Sequence, residues 1–226
     1  MDSLATLWPP FGLRIEVAGA GRRIELRGMT DADIALIADV SPEDVYGPEI
    51  PKHAFPWIFN APPDRARNSA QYRWLNRATF QPATWSLDMA VYDGTELIGV
   101  ADLRATEFAS RRAVATGSWN LYRHQGQGYG TLVRHGVAAF CFEHLGAERI
   151  ESGWMLSNAA SARVSAKLGY QKTEDTKLPA GPESKLIPGT LAVLTRERYR
   201  AGYEDAPAVT VTGCTENLLA LMGAGS

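Results

Sequence analysis

The sequence predicts an α+β fold of three layers, an α/β architecture in which a mixed central sheet carries packed helices. Three observations predict it. The first half is strand-rich; from about residue 113 the signal alternates strand–helix–strand–helix–strand; and a stretch of 226 residues, 45% hydrophobic and 21% charged, supplies one well-buried core. A chain of this length removes roughly 70–75% of its unfolded surface from water.

The elements follow in order. Runs at 13–17 and 24–27 flank Ala18-Gly19-Ala20-Gly21 and read as a hairpin. Thr30-Asp31-Ala32-Asp33 opens a short helix carrying Ile34, Leu36 and Ile37, which Pro42 stops. Prolines at 42, 48, 51, 56, 62 and 63 forbid long regular structure, and Tyr46, Phe55, Trp57 and Phe59 anchor an irregular packed loop. Helical spacing returns over 64–80 through Tyr72, Leu75 and Thr79. Strands are predicted at 85–92 and 97–103 around the tight turn Asp93-Gly94, with a third at 113–121. The strongest helix spans 129–145, its stripe formed by Leu132, Val133, Val137, Phe140 and Cys141, and Gly146 ends it. A strand at 149–155, a helix at 158–168 closed by Gly169, and a last strand at 191–196 complete the pattern. The tail contains an apolar alternation at 209–212 and a helical run at 217–222, suited to extending the sheet, covering its edge or meeting a second subunit.

Composition narrows the function. Lys+Arg 23 against Asp+Glu 25 leaves a net charge of -2, which gives no basis for nucleic-acid binding. No apolar run approaches the roughly 20 residues that span a bilayer, so no membrane partner is expected. The Met1-Asp2-Ser3-Leu4 start has no secretory pattern and Cys141 and Cys214 make no disulfide framework, so the expected location is cytoplasmic. Charge is uneven along the chain. Residues 31–64 hold seven acids and one base, while residues 103–135 hold five arginines and one acid. The first window is expected to draw in a cation and the second an anion.

The chemistry sits where the third central strand meets the strongest helix, at Arg123-His124-Gln125-Gly126-Gln127-Gly128-Tyr129-Gly130-Thr131. Glycines at every second position let the backbone approach a ligand closely, and the helix presents its positive N-terminal end, so the segment reads as a phosphate-binding loop. No lysine follows Gly130, which argues against a P-loop, and the G-x-G-x-G spacing is not a dinucleotide fingerprint.

Gln125-Gly126-Gln127-Gly128-Tyr129-Gly130 resembles the Q/R-x-x-G-x-G/A acyl-CoA loop of the GNAT N-acetyltransferases. The run from Asn158 through Ser161, Val164, Lys167, Leu168 and Gly169 to Tyr170 is similar to the N-x-x-S-x-x-V-x-x-K-L-G-F segment of their RimJ/RimL-like branch. The resemblance covers roughly residues 22–198, leaving 1–21 as an N-terminal extension with the first hairpin strand and 199–226 as a C-terminal extension. It implies the GNAT fold, with a mostly antiparallel sheet, and acetyl-CoA as co-substrate without a metal. Its pyrophosphate would lie on the 125–131 backbone, with Trp119, Asn120, Leu121, Arg123, Asn158 and Ser161 completing the cofactor set. The implied activity is N-acetylation of a primary amine by direct attack on the thioester. The acceptor is expected to be cationic, a protein N-terminus or a small compound such as an amine-bearing antibiotic, bound through His53, Trp57 and Asp88. A homodimer is a possible assembly. The alternative reading is a non-catalytic acyl-CoA-binding regulator.

That alternative is motivated by a departure. Relatives commonly carry a glutamate before the strand enters the loop, where this chain has Ala115 or, in a shifted register, Thr116. Asp102, Glu107, Asp88 or a water chain are the substitutes for the base. A weak base suits a low-pKa amine, because a lysine-like amine of pKa ~10.4 is neutral only about one part in 2,500 at pH 7, whereas an α-amine near 8 is neutral about one part in ten. Many relatives place an acid tyrosine where this chain has Ser165, so Ser161 and Ser165 with water are the candidates for protonating the thiolate.

Overall fold

The computed structural model describes residues 3–202 and 206–225. Nine strands form one sheet in the order β7-β8-β6-β5-β4-β3-β2-β1-β9. They are β1 (Arg14–Gly19), β2 (Arg22–Gly28), β3 (Thr84–Asp93), β4 (Glu96–Thr106), β5 (Ala113–Asn120), β6 (Arg149–Met155), β7 (Gln171–Ala180), β8 (Lys185–Thr195) and β9 (Ala208–Thr212). Every paired neighbour is antiparallel except β5 with β6. The mixed, mostly antiparallel sheet with helices on both faces is therefore as the sequence predicts.

One face carries α6 (Tyr129–Ala139), α7 (Ala159–Leu168) and α9 (Glu216–Leu221) over a core of Ile15, Leu26, Met89, Leu103, Phe108, Phe140 and Leu218. The other carries α2 (Asp31–Ala38), α3 (Pro42–Tyr46) and α4 (Pro62–Ala78) over Ile34, Ile37, Val45, Ala90, Tyr92 and Val100. Alternate residues of β3 divide between the two cores, Met89 and Val91 to one and Ala90 and Tyr92 to the other, as the two-residue period of a strand requires. The tail supplies β9 beside β1, and its α9 buries Leu218 in the same core as the central strands.

Several sequence expectations are corrected. The stretch from Pro42 to Pro63 holds no long element, as expected, but is not wholly irregular: Pro42 occupies the first turn of the five-residue α3, where its missing N–H is harmless, and Ser41 and Asp44 close a capping box. The stripe Tyr72–Leu75–Thr79 on α4 is inverted, with Tyr72 and Leu75 exposed and Arg65, Ser69 and Arg73 buried. The last strand is not confined to 191–196, since β8 begins at Lys185 and pairs with β7, which had no sequence signal. The 129–145 helix is α-helical only to Ala139 and finishes as a π-turn over Phe140–His144. Cys141 lies in the core with its thiol pushed up by burial. No helix among the described residues is long and apolar enough to cross a membrane.

Gly136 sets how closely α6 approaches the sheet. A Cβ there would lie 2.7 Å from Val17 Cγ2 and 3.2 Å from Ile15 Cγ2. Gly→Ala inside a helix ordinarily stabilises by roughly 0.5–1 kcal/mol. Here the stiff β-branched neighbours reverse the sign, and Gly136→Ala is expected to destabilise by about 1–3 kcal/mol in urea denaturation.

Candidate active site

β5 and β6 pair only at Ala113↔Arg149, Val114↔Ile150 and Ala115↔Glu151, and then part. The opening between them is the floor of a cleft of about 1580 Å³ lined by residues from both faces of the sheet. Backbone N–H and C=O groups of β5 beyond Ala115 face this opening without a strand partner on that side, ready to bond an extended ligand.

The α6 side of the cleft offers open backbone donors and positive charge, a setting suited to an anion. Gly126 and Gly128 have φ of 72° and 91°, and nothing lies within 4 Å of where their Cβ atoms would sit. Among the described residues, no hydrogen bond occupies the N–H groups of Gly126, Gln127, Gly128 or Tyr129, and α6 begins there. Gln125 holds the loop in place by donating to Val45 O at 2.6 Å and Asn120 O at 2.9 Å. Asn158 caps α7, accepting from the Ser161 N–H at 3.0 Å. Arg134 lies over this side, donating to Ser152 and Ser161 at 3.2 and 3.3 Å, and Arg163 and Lys167 on α7 add exposed cations at the cleft.

The predicted cofactor set divides. Trp119, Asn120, Gln125, Gly126, Gly128, Gly130, Thr131, Asn158 and Ser161 line the cleft. The side chains of Leu121, Arg123, Gln127 and Tyr129 do not. Leu121 is core, Arg123 pairs with Glu96 at 3.0 Å, Gln127 donates to Arg123 O, and the Tyr129 hydroxyl donates to Asp93. Gln127 and Tyr129 remain part of the loop through their backbone.

On the α4 side, Asp88, Asp102 and Gly117 form one cross-strand row over β3, β4 and β5. Asp102 Oδ1 lies 2.5 Å from where a Cβ on Gly117 would stand, so glycine is what lets this carboxylate reach over β5 toward the seam. Arg104 Nε is 2.9 Å from Asp102 Oδ2 but off the hydrogen-bonding direction, so that oxygen has no hydrogen-bond partner. Asp88 accepts from Asn76 Nδ2 at 2.8 Å. Trp57 packs against Trp119 at 6.2 Å, and His53 lies against Tyr46 at 6.3 Å with its Nδ1 3.4 Å from Ser157 Oγ. Three expectations fail. Glu107 is exposed at the start of α5 (Phe108–Arg111), outside the cleft; Ser165 is fully buried beneath Arg134 and does not reach the cleft; and no acid of the 31–64 window lines it. Four of the seven are engaged elsewhere: Asp33 and Asp44 close capping boxes on α2 and α3, Asp31 binds Arg77 and Asp64 binds Arg67.

The GNAT acetyltransferase domain model matches residues 23–171. The chain belongs to the GNAT acetyltransferase family. Membership makes it an acetyl-CoA-dependent N-acetyltransferase, an enzyme that moves an acetyl group to an amine. Similar solved structures include RimJ of Mycobacterium smegmatis in complex with CoA-disulfide, at 18% identity over 84% of this chain and 89% of that one, with a TM-score of 0.70. Spermidine N-acetyltransferase of Vibrio cholerae in complex with CoA and spermine matches at 14% identity over 78% and 98%, with a TM-score of 0.58. A GNAT-family acetyltransferase of Bacillus anthracis matches at 14% over 80% and 99%, with a TM-score of 0.60. Among the described residues no group of three His, Cys, Asp or Glu is arranged to hold a metal.

Within this family's cleft, the carboxylates are electrostatically unusual. Burial pushes the Asp102 carboxyl above its ordinary 3.8, with Arg104 opposing and the Asp88 charge adding to the rise. Burial likewise raises Asp88 against the pull of Asn76 and Arg73. A raised native pKa means the folded state holds the proton more tightly than the unfolded chain, so stability falls as pH climbs from the unfolded to the folded value. Asp102→Asn is therefore expected to raise the melting temperature at pH 7 and leave it unchanged at about pH 3, a comparison calorimetry makes directly.

Proposed function

We propose that the enzyme acetylates a primary amine by direct transfer, with Asp102 as general base and Asp88 holding the incoming ammonium. The observation that carries this reading is the Asp88–Asp102–Gly117 row beneath the strand opening. Acetyl-CoA fits the α6 side: the free N–H groups at Gly126 to Tyr129 suit its pyrophosphate, and the unpaired edge of β5 suits its pantetheine amides. Trp57 and Trp119 wall the acceptor, and His53 stands at its rim.

The amine reaches this site as an ammonium. Asp102, whose raised pKa brings it closer to that of an amine, removes one proton and later releases it to solvent; the neutral nitrogen then bonds to the acetyl carbonyl carbon, and as the C–S bond breaks it sheds its second proton. The Leu121 N–H already donates to Ile98 O at 2.9 Å, so the developing oxyanion falls to the β5 backbone N–H groups that face the strand opening before it. The Ser161 hydroxyl, which accepts from Arg134, supports the departing thiolate, and water relays to it the second proton that the nitrogen sheds. The same arrangement favours an α-amine over a lysine-like amine, because less free energy separates the neutral form from the ammonium.

Thiol release from acetyl-CoA against a panel of amines, with product masses, tests the reading. Gly128→Glu is expected to abolish both CoA binding and release. Asp102→Asn is expected to keep CoA affinity and lower kcat/KM by about 100-fold or more, within the range of general-base contributions. In the wild type, kcat/KM should rise with pH through a carboxyl titration above 3.8, since only the ionised carboxylate accepts the proton. Full activity in Asp102→Asn, with an unchanged acid limb, would remove Asp102 from the mechanism.

A further inference from the structure

The acceptor side of the cleft holds two buried arginines whose charge is not matched by a contacting acid. α4 turns Arg65, Ser69 and Arg73 inward at four-residue spacing, and Arg65 and Arg73 are each 7% exposed while lining the cleft. Arg73 Nη1 donates to Ser69 O and Oγ at 2.9 Å and its Nε to Met29 Sδ at 3.2 Å, leaving Nη2 unbonded. Arg65 Nη1 donates to Ile58 O at 3.3 Å and Asn60 O at 3.2 Å, and its buried Nε has no partner. Neither guanidinium contacts a carboxylate. Asp88 and Asp102 act on Arg73 only at longer range, Asp102 is paired with Arg104, and Asp88 is bonded to Asn76.

This chamber therefore sets three guanidinium groups, those of Arg65, Arg73 and Arg104, against two carboxylates whose pKa values are raised. A buried charge without a partner costs several kcal/mol. A site evolved for a polycation would gain nothing by keeping two such cations beside its acids, because each repels the ligand. A ligand that brings its own anion resolves both problems, neutralising a guanidinium through paired N–H···O bonds and presenting its ammonium to the acids.

We propose that Arg73, backed by Arg65, binds a carboxylate of the acceptor, so that the substrate is amphoteric: a free amino acid or short peptide whose carboxylate lies a few bonds from the reacting amine. The proposal narrows the acceptor of the acetyl-transfer reading and rests on it for which end reacts. The charge pairing is measurable without turnover.

The probes are L-amino acids and glycyl dipeptides, each as free acid and as C-terminal amide, with spermidine as the polycation. Binding to the CoA-loaded protein is followed by calorimetry, and kcat/KM with acetyl-CoA is measured in parallel. Free acids are expected to bind and react at least about 10-fold better than their amides, the scale of a charge-assisted hydrogen bond. Arg73→Gln should shrink that ratio to below about 3-fold with CoA affinity intact, and Arg73→Lys should restore part of it. The acid-to-amide ratio in the wild type needs no variant, so a misfolded Arg73→Gln does not shield the proposal. Equal binding of acids and amides, no binding of either, tighter binding of spermidine, or a ratio that survives in folded Arg73→Gln would each overturn it. Acids bound better than amides without acetyl transfer to any probe would instead sink the catalytic reading and leave the carboxylate site standing. Transfer to amides and polyamines as fast as to acids would do the reverse.

Discussion

The structure turns on one parallel strand pair in a sheet whose other pairings are antiparallel. Antiparallel neighbours can be joined by tight turns, as β1–β2, β3–β4 and β7–β8 are here, but β5 and β6 point the same way and need a crossover, which α6 supplies. That helix must begin where β5 ends, so its positive N-terminus and the glycine loop leading into it fall beside the place where the two strands separate. The pair holds for only three residues before opening. A single topological choice thus creates the unpaired strand edge, the anion-binding loop and a passage between the two faces of the sheet. Gly136 serves the same arrangement, since the crossover helix must lie close against β1 to keep its N-terminus at the seam.

The passage separates two kinds of electrostatics. On the α6 face, backbone N–H groups and the side chains of Arg134, Arg163 and Lys167 give a field suited to phosphates. On the α4 face, acids and arginines alternate within one chamber, and the inward side of α4 is polar because it borders that chamber and not a dry core. The helix is consequently inside-out by ordinary amphipathic rules, with Trp74 and Leu75 half exposed and two arginines buried. A local rule broken in this way is what a ligand-binding face imposes.

That inversion explains where the sequence misleads. Regular signals carry physics common to all sheets and helices: the alternation of β3 and β4, the glycine loop at 125–130, and the cap at Asn158 were all legible because each reflects a local backbone requirement. The stripe at Tyr72, Leu75 and Thr79 misleads because hydrophobic periodicity assumes that the apolar face points inward. β7 left no signal because most of its residues are exposed, so neither face had to be apolar. The acids at 31–64 are a true charge count and a false site: none lines the cleft, and capping boxes and ion pairs engage four of the seven. Linear charge density says nothing of where a side chain points.

The same reasoning bears on the missing glutamate. Of the two candidate positions, Thr116 stands opposite Leu103 and Ala115 opposite Arg104, and neither carries an acid. Two residues on, Gly117 faces Asp102, and the absence of a side chain there is what admits the carboxylate over β5. In the proposed mechanism the base therefore stands on β4, and the bare Gly117 on β5 lets it reach the seam. A carboxylate reaching across from β4 is also set next to Asp88, whose charge helps to raise its pKa, a coupling that a glutamate carried on β5 would feel less because β4 would lie between them. In the proposed mechanism that setting bears on the strength of the base, because burial beside Asp88 favours a carboxylate that takes a proton readily.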